Sequence, residues 1–139
     1  MAAARRILID TGAIYAFVTR SDRNHAAARS FVEPWLARRG TFVLADSVFA
    51  EAMTLLKARL GAETAIRVGT ELRRNPAYAW TEIGTDDERE TWEVFRKHRD
   101  QNWSYTDCNL LVVSRRSGVR GVFAFDHHFS QMNGLERYP

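Results

Sequence analysis

The stretch Arg6-Ile7-Leu8-Ile9-Asp10-Thr11-Gly12 decides the fold. Three aliphatic residues in a row, with no polar residue between them, read as a short strand buried on both faces. The run stops at a carboxylate, Thr11-Gly12 makes a turn, and residues 13–18 then read as a short helix. A buried strand that passes into a helix is the first half of a βα unit.

The same alternation continues outward. From 25 to 39 the apolar positions Ala28, Phe31, Val32, Trp35 and Leu36 recur at spacings of three and four, as on an amphipathic helix. Pro34 is expected to kink that helix or start a second segment, and Gly40 to stop it. Residues 41–45 read as a second strand, and Asp46 or Ser47 can cap the helix that runs on to about Arg59. Gly61 separates it from a helix over 62–74, and Asn75-Pro76 turns into a third strand over 78–83. Thr85 or Asp86 caps the next helix, with Trp92, Val94 and Phe95 on its apolar side. Ser104 caps another, with Leu110, Leu111 and Val113 inward and Gly118 at its end. A fourth strand over 119–125 and a short fifth over 135–138 complete the pattern. Strands alternating with helices predict a three-layer α/β/α domain with a parallel sheet of four to five strands. Without an internal repeat or linker, residues 1–139 are expected to form a single domain.

Four acids stand where this pattern changes element: Asp10, Glu51, Asp107 and Asp126. Acids beside buried apolar runs are costly unless a cation or hydrogen bonds compensate them. In an open parallel sheet, ligands bind beyond the carboxyl ends of the strands. Asp10 and Asp126 are expected at that edge directly, with Glu51 and Asp107 reaching it from the starts of their helices. Four converging carboxylates would make a hard oxygen site suited to Mg²⁺ or Mn²⁺. Such an ion lowers the pKa of a bound water and offsets charge on a phosphoryl oxygen, the two needs of phosphodiester hydrolysis. Asp10 and Asp107 are the expected direct ligands. Asp126 completes the set or holds its waters, and Glu51 binds or orients a water, with general base as a further role. Thr11, Ser104 and Thr106 are candidates for hydrogen bonds to these carboxylates or waters.

The blocks Leu8-Ile-Asp-Thr-Gly-Ala13, residues 45–56 around Glu51, Ser104-Tyr-Thr-Asp-Cys108 and Ala124-Phe-Asp-His-His-Phe129 resemble, in order and spacing, those of a PIN-domain protein. More narrowly, they resemble those of a VapC-type toxin from a bacterial toxin–antitoxin pair. The family's acidic pattern maps onto Asp10, Glu51, Asp107 and Asp126. The resemblance implies a magnesium- or manganese-dependent endoribonuclease acting on RNA, usually a homodimer, and blocked by a cognate antitoxin protein. Asn109 departs from the small or hydroxyl residue that many relatives carry there, which bears on local helix packing.

Other readings use the same residues. A receiver-like signalling module also keeps an acidic pocket at this sheet edge. It carries an acidic pair at the first strand's end and a lysine after the last strand, whereas here Ile9 precedes Asp10 and no lysine follows Phe125. A non-catalytic RNA- or protein-binding module conflicts with the presence of all four acids. A DNA-directed nuclease would use the same metal chemistry.

Asp46 reads as a cap, Asp22 and Asp100 as loop acids, and Asp86 and Asp87 as helix-start residues. His25 opens or caps its helix. His127 and His128 lack the partners a zinc site needs and read as exposed or substrate-contacting. Phe31, Trp35, Trp92 and Phe95 read as core or dimer interface, while Trp103 and Tyr105 flank the site as possible RNA contacts. Cys108 reads as a buried small residue. A net charge of +3, with only Lys57 and Lys97 among 20 cations not arginine, permits a nucleic-acid substrate. No apolar run is long enough to span a membrane. The amino terminus is too short for a signal-peptide core before Ile7, and the lone cysteine fits a reducing cytoplasm.

Overall fold

The computed structural model describes residues 5–139. The reading of the first residues as lacking a signal-peptide core falls partly on Met1 to Ala4, outside the described residues. Five strands form one sheet: β1 (Arg6–Ile9), β2 (Thr41–Ala45), β3 (Tyr78–Thr81), β4 (Gly121–Phe123) and β5 (Glu136–Tyr138). Their order is β3-β2-β1-β4-β5, with every pairing parallel. Six helices flank the sheet among the described residues: α1 (Thr11–Val18), α2 (His25–Ala37), α3 (Asp46–Leu60), α4 (Ala62–Arg74), α5 (Thr85–Lys97) and α6 (Tyr105–Ser117). The result is the three-layer α/β/α arrangement with the parallel sheet expected from the sequence.

The strand order creates the site's location. From β1 the chain builds outward through β2 to β3, then returns to lay β4 and β5 on the other side of β1. The reversal falls between β1 and β4, and a crevice opens beyond the carboxyl ends of strands at such a point. Asp10 follows β1 there, and its N–H donates to the Phe123 carbonyl at 3.0 Å. The strands meet in a core that includes Leu8, Phe42, Leu44, Val122 and Phe123, all fully buried. Uniform burial on both faces is why these strands read as continuous apolar runs.

Helix α6 runs through this core. All eight residues from Asp107 to Ser114 are buried, including Val112, so the helix is covered well beyond the expected Leu110, Leu111 and Val113 stripe. Asn109 fits without strain: its Nδ2 donates to Thr91 Oγ1 at 2.9 Å, and that hydroxyl donates to the Asp87 carbonyl at 2.7 Å. Asp87 in turn accepts from Arg116 Nε at 2.8 Å. The network ties α5 to α6 and supplies the hydrogen bonds that buried polar groups require.

Several boundaries differ from the sequence expectation. Helix α1 starts at Thr11 rather than after a Thr11-Gly12 turn, because Asp10 caps it and accepts from Gly12 N–H. Asp46 and Ser47 do not cap α3. Ala45 holds the cap position, and Asp46 instead accepts from the Ile83 N–H at 3.2 Å, tying the exit of β3 to the start of α3. Gly84, not Thr85 or Asp86, precedes α5, and its N–H donates to Asp87 Oδ2. Pro34 lies inside α2 and neither ends nor divides it. The helix stops at Ala37, two residues short of the expected end, and Arg39 takes the left-handed conformation at φ 59°. Gly40 is needed for another reason: a Cβ there would collide with the Trp35 ring. Strands β3 and β4 are shorter than expected, and a turn of 3₁₀ helix at His127–Gln131 follows β4.

Thr91→Val tests the α5–α6 network. It keeps the side-chain shape but leaves Asn109 Nδ2 buried without an acceptor, so unfolding free energy should fall by about 1–3 kcal/mol. Urea denaturation of the two proteins measures the difference.

Candidate active site

All four sequence-predicted acids line one cleft of about 330 Å³. Asp10 is 7% exposed and caps α1, with Oδ2 accepting from Gly12 N–H at 3.3 Å. Its pKa is pushed up to about 7, first by burial and then by the charge of Asp107, with a smaller push from Glu51. The backbone N–H groups of Thr11 and Gly12 act the other way.

Asp107 is held by the N-terminus of α6. Ser104 N–H donates to Asp107 Oδ2 at 2.9 Å, and Asp107 N–H donates to Ser104 Oγ at 3.0 Å. This reciprocal capping box fixes the carboxylate at the helix start. Burial raises its pKa and Asp126 adds to the rise, while the hydrogen bonds from Ser104 and His128 oppose it. Asp126 caps the 3₁₀ turn after β4, its Oδ1 accepting from His128 N–H at 2.9 Å. Glu51 is exposed on α3, and Thr106 Oγ1 donates to its Oε2 at 2.7 Å across the cleft. Ser104 and Thr106 thus make the kind of supporting hydrogen bond anticipated for them. Thr11 Oγ1 is buried with no partner among the described residues.

His128 is not the exposed residue that the sequence suggests as one reading: its side chain is 15% exposed, and its Nδ1 lies 3.1 Å from Asp126 Oδ1 and 3.4 Å from Asp107 Oδ2. Ligand atoms of Asp107, Asp126 and His128 all lie within 4.8 Å of one another. The available signal was local: an aspartate two residues before a histidine can cap a tight turn and draw the ring back over its own carboxylate. His127 beside it is 78% exposed and stays at the rim. Asn102 also lines the cleft.

Trp103 is 9% exposed and sits beside the His98 ring, so it belongs to the core rather than to an RNA-contacting surface. Tyr105 donates to Glu88 Oε1 at 2.8 Å. The Cys108 thiol is buried and pushed up to about 11, by burial and then by Asp107, which keeps it protonated and unreactive.

A cleft with four carboxylates, two of them raised in pKa, has no lysine or arginine among its described lining residues. Its donors are hard oxygens with one imidazole, a set that suits Mg²⁺ or Mn²⁺. The Thr11 hydroxyl, without a partner among the described residues, adds an unused polar group to the residues that line the cleft.

A family model for the PIN domain matches residues 7–135. The chain is 26% identical over 133 residues to the 23S rRNA-specific endonuclease VapC20 of Mycobacterium tuberculosis, spanning 96% of this chain and 98% of that one. It is 24% identical over 130 residues to Ribonuclease VapC26 of the same organism, spanning 93% of each. The crystal structure of the Mycobacterium tuberculosis VapC20, a sarcin-ricin loop cleaving toxin, matches with a TM-score of 0.80 at 25% identity, over 90% of this chain and 93% of that chain. VapBC2 from Rickettsia felis, bound to a DNA fragment from its promoter, matches with a TM-score of 0.68 at 9% identity, over 96% and 97% of the two chains. At that identity the likeness concerns the fold alone.

The buried acid makes a stability prediction. A pKa near 7 in the folded state against 3.8 for a free side chain means that the folded chain holds this proton more tightly. Stability without metal therefore falls as pH rises from about 4 to about 7, and the full penalty is present above that window. Asp10→Asn keeps the cap and removes the charge, so in EDTA it should melt at a higher temperature than the wild type at pH 8. The gap should close towards pH 4. Thermal melts at the two pH values measure it.

Proposed function

The chain belongs to the PIN-domain family, and on that premise we propose that it is a divalent-metal-dependent endoribonuclease, the toxin of a toxin–antitoxin pair, folded as a single domain. The observation that carries this reading is the convergence of Asp10, Glu51, Asp107 and Asp126 on one cleft at the β1–β4 reversal. Asp10, Asp107 and Asp126 would hold Mg²⁺ or Mn²⁺, with Glu51 binding the ion or one of its waters. When bound, the ion supplies a water of lowered pKa and positive charge beside the phosphoryl oxygens.

The chain's own residues do the positioning. The Ser104 capping box keeps Asp107 from rotating away, and Thr106 holds Glu51 over the cleft. Glu51 is the exposed member of the set, free to accept a proton from an attacking water. His128 Nδ1 stands between the two carboxylates, 3.4 Å from Asp107 Oδ2 and 3.1 Å from Asp126 Oδ1, and fixes their spacing. Burial of Asp10 and Asp107 strengthens every charge interaction in the cleft.

The relatives named as endonuclease and ribonuclease support RNA as the substrate, and the 23S rRNA specificity of one makes ribosomal RNA the first to try. The antitoxin partner follows from the toxin reading. An apolar groove of about 510 Å³, walled by Ile14, Phe17, Val68 and Leu72, offers a partner segment somewhere to lie. Trp92 and Phe95, 54% and 39% exposed and stacked on each other, give a homodimer an apolar surface. No helix among the described residues is long and apolar enough to cross a membrane, and a toxin of RNA would act in the cytoplasm.

Purified protein should cut ribosomal RNA with Mg²⁺ or Mn²⁺, stop in EDTA, and resume when the ion is restored. Asp107→Asn should reduce cleavage to background while leaving the fold intact by circular dichroism. Cleavage that persists in EDTA and in the variant would refute the acidic site.

A further inference from the structure

The amino edge of the sheet carries charge of the opposite sign to the catalytic edge. A groove of about 610 Å³ opens there, rimmed by Arg5, Arg6, Arg38 and Arg120. Arg6 opens β1, Arg120 precedes β4, and Arg38 follows α2. Among the described residues none of these four makes an ion pair, whereas Arg29, Arg96, Arg115 and Arg116 each do. Among the described residues the groove has one carboxylate, Glu136, two positions before Tyr138 on β5.

The floor is aromatic and fixed. Phe31 stacks on Trp35 at 5.9 Å and contacts Tyr138 at 6.0 Å. Trp35 Nε1 donates to the Thr41 carbonyl at 3.3 Å, and its ring fills the space over Gly40. At Gly121 a Cβ would collide with the Ile7 side chain on β1 and come within 3.2 Å of the Tyr138 ring on β5, so glycine lets both neighbours close over β4.

A phosphate backbone is repelled by the acidic cleft, so affinity for a polyanion has to come from cations elsewhere on the surface. Guanidinium groups match phosphate oxygens in pairs, and an aromatic floor within a basic groove accepts ribose and base. The groove lies at the other end of the same strand from Asp10, four residue steps or about 13 Å along β1. We propose that this groove is a second RNA-binding site, which grips the backbone of an RNA whose cleavage takes place at the acidic cleft. The proposal rests on the ribonuclease reading above.

The test compares the full chain with two double variants, Arg38→Ala with Arg120→Ala, and Arg38→Lys with Arg120→Lys. Both side chains are exposed without ion-pair partners, and thermal melts confirm that the folds match. Binding of a fluorescein-labelled RNA stem-loop is measured in EDTA across a range of salt, and cleavage kinetics on ribosomal RNA are measured with Mg²⁺. The alanine pair should weaken binding about 10-fold and flatten the plot of log affinity against log salt by about 1.4, for two lost phosphate contacts on a single strand. It should raise KM with kcat unchanged, and the lysine pair should keep the salt slope. Unchanged KM and salt slope in the alanine pair would overturn the groove and leave its arginines to an acidic protein partner. RNA binding by the wild type without cleavage would overturn the ribonuclease reading alone, and no RNA binding at all would overturn both.

Discussion

The cost of burying carboxylates, raised further by their neighbours' charge, is the constraint around which the molecule is arranged. Asp10 and Asp107 are each 7% exposed; burial is the first cause that raises both, with the charge of Asp107 adding to Asp10 and that of Asp126 to Asp107. Such a cluster survives folding only where hydrogen bonds hold the acids in place and the surrounding core is firm enough to bear the cost. Both conditions are met here by backbone. Asp10 caps α1, Asp107 is locked into the capping box of α6, and Asp126 caps the turn after β4. The same side chains that start elements therefore define the cleft.

The rest of the fold supplies rigidity to those caps. Helix α6 is buried from Asp107 to Ser114, so its N-terminus cannot shift without disturbing the core. The hydrogen-bonded series Asn109, Thr91, Asp87 and Arg116 ties α6 to α5 from the opposite side. Strand β1, flanked by β2 and β4, places Asp10 at the reversal in strand order. Negative charge then gathers at the carboxyl edge, and arginines without an ion pair among the described residues at the amino edge, a division of labour that suits an enzyme acting on a polyanion.

Much of this was legible in the sequence because strand burial and helix capping leave local signatures. The runs Ile7-Leu-Ile9 and Phe42-Val-Leu44 gave their strands away by continuous aliphatic or aromatic character, and Ser104 marked the start of α6 three residues ahead of Asp107. The four acids stood out as charges placed where apolar runs stop. What escaped was set by contacts across the chain. Asp46 resembles a cap in sequence but is claimed by the Ile83 N–H, 37 residues away. Trp103 looks like a surface aromatic but is covered in the fold, whereas Trp92 has the helical spacing of a core residue and is exposed. His128 joins the acids only through a 3₁₀ turn whose shape no periodicity announces.

The claim that the four carboxylates act as one cation site is tested most directly by titrating Mn²⁺ into the protein and following binding by water-proton relaxation. The wild type should bind Mn²⁺, and Asp10→Asn, Asp107→Asn, Asp126→Asn and Glu51→Gln should each weaken it. Affinity that is absent in the wild type, or unchanged by Asp10→Asn and Asp107→Asn, would contradict the account.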